Sequence, residues 1–297
     1  LTLDALHHFF ENILSRKQDL DQKTCLPKSL FRVQAQIIPD ILTECIGAFF
    51  LQLFQLLGQK VADFHLALAQ TSDSVDLCPE PFTFFYQRSE YQSIRTLIKR
   101  SIHGLRKHYH TMPKNTLFLV EKLLQDEHAF LSLAQRITQH RIEAQKTRIH
   151  GNLKLTNILF TGSSFAILNF EGDATRPLSQ RRLKRSPVLD LAAVLGSCHF
   201  AAHTALTKNT TLQYEEIEEL QPWVDIWHKA VSGTFLNSYL QAVKGCAFLP
   251  RKRSHLRILL THFLLEKGFH EIYHSLDNRQ HRIAPLIRGI QAVQNWR

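Results

Sequence analysis

The hydrophobic pattern of this 297-residue chain changes period once. On either side of the segment from Thr147 to Ser186, apolar residues recur at helical spacing. Inside it, Ile158-Leu159-Phe160 and Phe165-Ala166-Ile167-Leu168 flank Thr161-Gly162-Ser163-Ser164. Two short apolar runs around a Gly/Ser turn predict a β-hairpin, and no other stretch gives a comparable β signal. The chain therefore has to build one mainly helical (α+β) domain around a single small hairpin, near residues 156–170.

The helical segments follow from spacing. Leu3, Leu6, Phe9, Phe10, Ile13 and Leu14 predict an opening helix, with Asp4 near its start. A polar loop from Ser15 to Ser29 follows, then one long helix from Pro39 to Gln70. Its buried side carries Ile41, Cys45, Phe49, Leu53, Leu56 and Leu57. Thr71 to Pro81, with Ser72, Asp73, Pro79 and Pro81, reads as a turn-rich break. Further helices are expected over 92–110, 116–145, 188–206, 223–243 and 254–276.

Composition narrows the classes. With 44% hydrophobic residues, the chain can bury a sizeable core, which excludes a disordered tail or a disulfide miniprotein. Eleven glycines against twenty phenylalanines favour helix over a turn-rich β protein. No run reaches the ~18 uninterrupted apolar residues of a membrane span; Phe49 to Leu57, broken by Gln52 and Gln55, comes nearest and reads as buried helix. The five cysteines form no CxxC pair, so core thiols of a cytoplasmic protein are the plain reading. There is no signal segment. Leu1 in place of Met suggests a piece of a longer chain. Lys and Arg exceed Asp and Glu by 36 to 26, a net +10 that suits a solvated surface or an acidic partner domain.

The segment Arg148-Ile149-His150-Gly151-Asn152, running on through Asn157 into Ile158-Leu159-Phe160, resembles the catalytic loop of aminoglycoside-phosphotransferase-type kinases. Asn169-Phe170-Glu171-Gly172-Asp173 resembles the metal-binding stretch that ends their hairpin. The run from Arg176 to Pro187, followed by Asp190, is similar to a long basic signature of maltokinases, including those fused behind trehalose synthases. Leu57-Gly58, His65 to Ala69, Tyr86 to Ser93, Leu264-Leu265-Glu266-Lys267 and Asn278-Arg279 match in the same order. The resemblance covers essentially the whole chain.

That resemblance implies a protein-kinase-like C-terminal lobe over residues 1–297. The lobe that covers ATP would then lie upstream of Leu1. By family the cofactors are ATP and Mg²⁺, the acceptor is maltose, and a trehalose synthase is a fusion or binding partner. His150 would brace the loop and Asp190 would hold it through buried hydrogen bonds. Asn152 stands where the family has its Asp base, and Asn169 stands at the main metal Asp. Asn157 matches the second metal position, Glu171 keeps a carboxylate, and Asp173 matches a family Glu. Lys154 replaces a frequent His. His270 and His274, with Tyr273 between them, replace two tyrosines that line the sugar pocket. Arg181, Arg182, Lys184 and Arg185 would be structural ion-pair partners.

Phosphoryl transfer needs a group that orients the nucleophile and takes its proton, and a metal held by anionic oxygens. An amide has no usable basic lone pair, although it can still orient a hydroxyl. Two Asp-to-Asn replacements at these positions describe a pseudokinase with a structural or regulatory role. Two other readings stay open. One is an active sugar kinase using Glu171 and Asn157, with Asp173 or solvent as proton acceptor. The other is a basic nucleic-acid module built on the arginine run. His270 and His274 also have zinc-ligand spacing, but no third ligand accompanies them.

Overall fold

A computed structural model describes residues 1–25, 30–32, 38–70, 74–209 and 212–294. Helix α1 (Thr2–Ser15) buries Leu6, Phe9, Phe10 and Ile13, the stripe its spacing predicts. A short α2 (Gln22–Cys25) interrupts the expected loop, of which residues 26–29 lie outside the described part. Thr71, Ser72 and Asp73 of the predicted break lie outside it too.

The long helix expected from Pro39 to Gln70 is two helices. α3 (Asp40–Ile46) and α4 (Ala48–Leu68) meet at an 83° bend. Gly47 stands at the corner with φ +93°, a left-handed value that glycine adopts without a Cβ clash. The break resets the helical phase. The buried face of α4 is centred on Phe50, Phe54 and Val61, with Leu53 and Leu57 beside them, and this turns Phe49, expected inside, outward at 63% exposure.

Strand β1 (Glu80–Pro81) leads into α5 (Phe84–His108), which Thr83 caps by accepting a hydrogen bond from Tyr86 N at 3.2 Å. That cap starts the helix before Gln92. The segment expected as one helix over 116–145 is α6 (Lys114–Gln125), α7 (Glu127–Gln135) and then the strand β2 (Gln145–Lys146), which pairs antiparallel with β1. Two-residue strands have too little alternation to show as a pattern. The predicted hairpin is present: β3 (Ile158–Phe160) pairs antiparallel with β4 (Phe165–Ile167), opposing Ile158 with Ile167.

After a short α8 (Leu178–Arg181) come α9 (Val188–Lys208), α10 (Tyr214–Ala242), α11 (Arg253–Tyr273) and α12 (Ile283–Gln294). α10 begins well before Trp223 because Gln213 and Glu216 close a capping box, and α12 is an addition to the expected set. α9 lies against α10, α11, α12 and α1, and α10 lies against α4. At Gly58 the α4–α10 approach leaves no room for a side chain, since a Cβ would meet Phe235 O at 2.5 Å. Among the described helices α9 alone is long and apolar enough to cross a bilayer; 72% of its apolar window is buried inside the bundle.

Candidate functional site

The loop that joins β2 to β3 is held from three sides. Thr147 exchanges backbone hydrogen bonds of 3.0 and 2.9 Å with Arg185. Asp190, in the first turn of α9 and fully buried, accepts from the backbone N–H groups of His150 and Gly151, both at 2.8 Å. It also accepts from His65 Nε2 of α4 at 3.2 Å. With that proton on Nε2, His65 Nδ1 accepts from the Tyr239 hydroxyl of α10 at 2.8 Å. Every polar atom in this buried chain has a partner, which is what permits a carboxylate there. His150 ties the loop forward: its Nε2 donates to Leu168 O at 2.7 Å, and its Nδ1 accepts from Asn152 N at 3.2 Å. Gly151 makes the turn between them at φ +78°.

Three asparagines meet at the base of the hairpin. Asn157 Nδ2 donates to Asn152 O at 2.9 Å, and Asn169 Nδ2 donates to Asn157 Oδ1 at 2.9 Å. The backbone carbonyl can only accept, so the Asn157 amide has one possible orientation. That orientation aims its oxygen at Asn169, which must donate. Asn169 is the non-glycine residue with positive φ (+62°) among those described, a conformation that asparagine tolerates better than most side chains. Asn152 Oδ1 is buried with no hydrogen-bond partner among the described residues. Glu171 is exposed, and Arg181 donates to its backbone carbonyl at 3.3 Å.

Next to this cluster, Lys267 Nζ of α11 donates to Gly151 O at 3.3 Å and lies 3.6 Å from Asp173 Oδ2. Burial lowers the Lys267 ammonium, and the Asp173 charge works against that. For Asp173, burial pushes upward, but the Thr175 hydrogen bonds (2.7 and 3.1 Å) and the Lys267 charge outweigh it. Its carboxyl stays well below the usual range. His270 Nε2 donates to Thr175 Oγ1 at 3.3 Å; burial, aided by Arg176, pushes this ring down to about 4 and keeps it neutral at pH 7. His270 thus packs against the Asp173 loop. His274 lies tilted against it, with ring centroids 4.5 Å apart, but is exposed, and Tyr273 turns to α5, accepting from Arg100 at 2.7 Å. Lys154 pairs with Glu271, which also meets Arg282 at 3.3 Å. Lys154, Lys267 and Glu271 line one end of a cavity of about 750 Å³ between α1, α9, α11 and α12.

The basic run divides by role. Arg185 is bidentate to Glu266 (2.9 and 2.9 Å) and bonds Glu90 at 2.7 Å, while Arg176 reaches Glu266 at 2.6 Å. Burial works against the charge on Arg185, but Glu266 and Glu90 hold it well above its ordinary value. Lys184 bonds Glu80 at 2.8 Å and Val75 O at 3.1 Å. Arg182 is exposed and makes no ion pair among the described residues. The expectation that all four basic residues form ion pairs therefore fits Lys184 and Arg185, and does not fit Arg181 or Arg182.

Glu271, Thr175 and Tyr239 belong to the site region without any mark in the sequence, and His65, Glu90 and Lys267 lie in the matching segments with no role implied for them. The one legible signal was Glu266-Lys267 inside the apolar run of α11, where an unpaired charge would be costly.

No protein-family profile matches the chain. Solved structures do. The chain superposes on a glucosamine kinase in complex with glucosamine, ADP and inorganic phosphate, with TM-score 0.68, 14% identity, and 98% of this chain and 59% of that chain covered. Two further crystal forms of glucosamine kinase give 0.66 at 15% identity and 0.68 at 14%, covering 98% and 99% of this chain and 57% of each of theirs. The chain shares the fold of these glucosamine kinases. At such identity the likeness extends to the fold alone, and the chain spans less than two-thirds of the length of these kinases.

Proposed function

We propose that the chain is the C-terminal lobe of a maltokinase-type sugar kinase whose phosphoryl-transfer chemistry has been lost and whose acceptor cleft still receives a sugar hydroxyl. The observation that carries this reading is the Asn169–Asn157 hydrogen bond. The two side chains at the family's metal positions are neutral amides, and each is committed to the other. Mg²⁺ prefers carboxylate and water oxygens in near-octahedral array. An amide pair with one oxygen already accepting a hydrogen bond does not fit that ion. Asn152 accepts no proton at neutral pH, yet its Oδ1 needs a donor, and a sugar hydroxyl is one. Asp173 is a poor substitute base, because Thr175 and Lys267 stabilise its ionised form.

Maltose is the acceptor by resemblance, and an amino sugar such as glucosamine is the alternative suggested by the structural neighbours. ATP would enter with an upstream lobe. A trehalose synthase, fused or bound, would place the domain in maltose and trehalose metabolism in the cytoplasm. Nucleic acid is a weak rival, since Lys184 and Arg185 are committed to carboxylates. The active-kinase reading keeps one support, the exposed and uncommitted carboxylate of Glu171.

The test is to assay the full-length protein for maltose and glucosamine phosphorylation with Mg·ATP, and to titrate both sugars calorimetrically. Sugar binding without turnover is the expected result. Robust phosphate transfer to either sugar would overturn the pseudokinase reading in favour of the active kinase.

A further inference from the structure

Beyond the hairpin, α9 and α10 bring a second polar cluster into the interior. His199 and His203, one turn apart on α9, place their Nε2 atoms 3.1 Å from each other. Asp225 of α10 places Oδ1 3.9 Å from His199 Nε2, and all three atoms lie within 4.8 Å of one another. Two nitrogens bound to one tetrahedral zinc ion at ~2.0–2.1 Å are separated by roughly 3.3 Å, so the two imidazoles already stand at nearly the spacing that a shared ion requires. Glu90, His262 and Glu266 converge similarly, but there the Arg185 guanidinium bonds both carboxylates and fills the place of a cation.

We propose that His199, His203 and Asp225 bind one divalent transition-metal ion of the zinc class, leaving a fourth position to water and joining α9 to α10. Two imidazoles and one carboxylate suit zinc or cobalt and are too poor in oxygen for calcium or magnesium. The 3.1 Å contact is a hydrogen bond in which one Nε2 carries the proton, so binding an ion moves that proton to the Nδ1 of the same ring and frees both Nε2 lone pairs. A supporting shell is in place. The Gln221 amide sits 3.2 Å from His203 Nδ1 and, with its carbonyl turned to the ring, accepts the N–H that a metal-bound imidazole carries. His228 packs edge-on to His199 at 5.1 Å and is itself fixed to Leu195 O at 3.1 Å. Asp225 is 52% exposed, which gives an ion a route from solvent. Two cations oppose: Arg288 acts on His199, His203 and Asp225 alike, and Lys229 acts on Asp225.

The experiment is a titration of the untagged full chain with Co²⁺, followed by visible d–d absorption, and with Zn²⁺ in competition with a chelator, alongside thermal unfolding. The expected result is one equivalent bound with tetrahedral-type absorption, and a Tm raised by about 3 °C or more in excess Zn²⁺. Mg²⁺ should give neither signal. Asp225→Asn, at an accessible position that leaves folding intact, should weaken Co²⁺ affinity at least tenfold, and Arg288→Gln should tighten it. The absence of saturable one-to-one binding, or an Asp225→Asn variant that titrates like the parent, would overturn the proposal.

Discussion

Two clusters within the same lobe have opposite electrical characters. Around Glu266, two arginines and two glutamates are withdrawn from water and fully charged. At the base of the hairpin, three amides carry no charge at all. The first cluster fastens the basic run, α5 and α11 to one another; the second joins the loop before β3 to the end of β4. The buried ions hold one another in place, because a carboxylate left alone in the interior is strongly destabilising.

The largest test of that contrast is to remove one buried charge. Arg185→Ala leaves Glu90 and Glu266 without their main counter-ion and should cost about 3–5 kcal/mol. Chemical denaturation would read this as a lowered midpoint or as failure to fold. A change below about 1 kcal/mol would mean that the cluster is dispensable. Next comes Asp190→Asn, which sets an amide N–H against a backbone N–H of the loop. A loss of about 1.5–3 kcal/mol is expected.

The third expectation is a pH dependence. His203 and His270 lie at about 3 and about 4 in the folded chain, against 6.5 for an ordinary histidine. Between those values the unfolded chain binds protons that the folded one refuses, so stability must fall as pH drops from about 6.5 toward 4. Urea midpoints at pH 7, 6 and 5 should decrease in step, and a flat profile would contradict neutral burial of these rings. The smallest effect belongs to the amide cluster. Asn169→Asp points a carboxylate at Asn157 Oδ1 and should destabilise by about 1 kcal/mol. In the full-length protein, Asn152→Asp with Asn169→Asp should raise ATP hydrolysis, and the pair should exceed the product of the single effects. If phosphorylation of maltose returns as well, the sugar pocket was intact despite His270 and His274.

Much of the fold was visible in the sequence because it rests on local pattern. The hairpin announces itself by apolar runs around Gly162, and α1 by its four-residue stripe. The bend at Gly47 was not visible, since one glycine within a long apolar run is compatible with a continuous helix. The pairing of Glu80 with Lys146 is purely tertiary, and no local pattern marks it. In the site, the three asparagines were found by resemblance. Lys267 and Glu271, in contrast, act through space on residues more than a hundred positions away. His270 and His274 have metal-ligand spacing with no third ligand converging on both among the described residues; His199 and His203 carry the same spacing, and their carboxylate partner lies on another helix.

The anchorage of the loop by Asp190 also has a kinetic meaning. The amide protons of His150 and Gly151 end on a carboxylate that is itself locked between α4, α9 and α10. These hydrogens cannot exchange with solvent through a local breathing of the loop, because releasing them exposes a charge inside the bundle. Their exchange should therefore track global unfolding, placing an irregular surface-bound segment among the slowest-exchanging parts of the molecule.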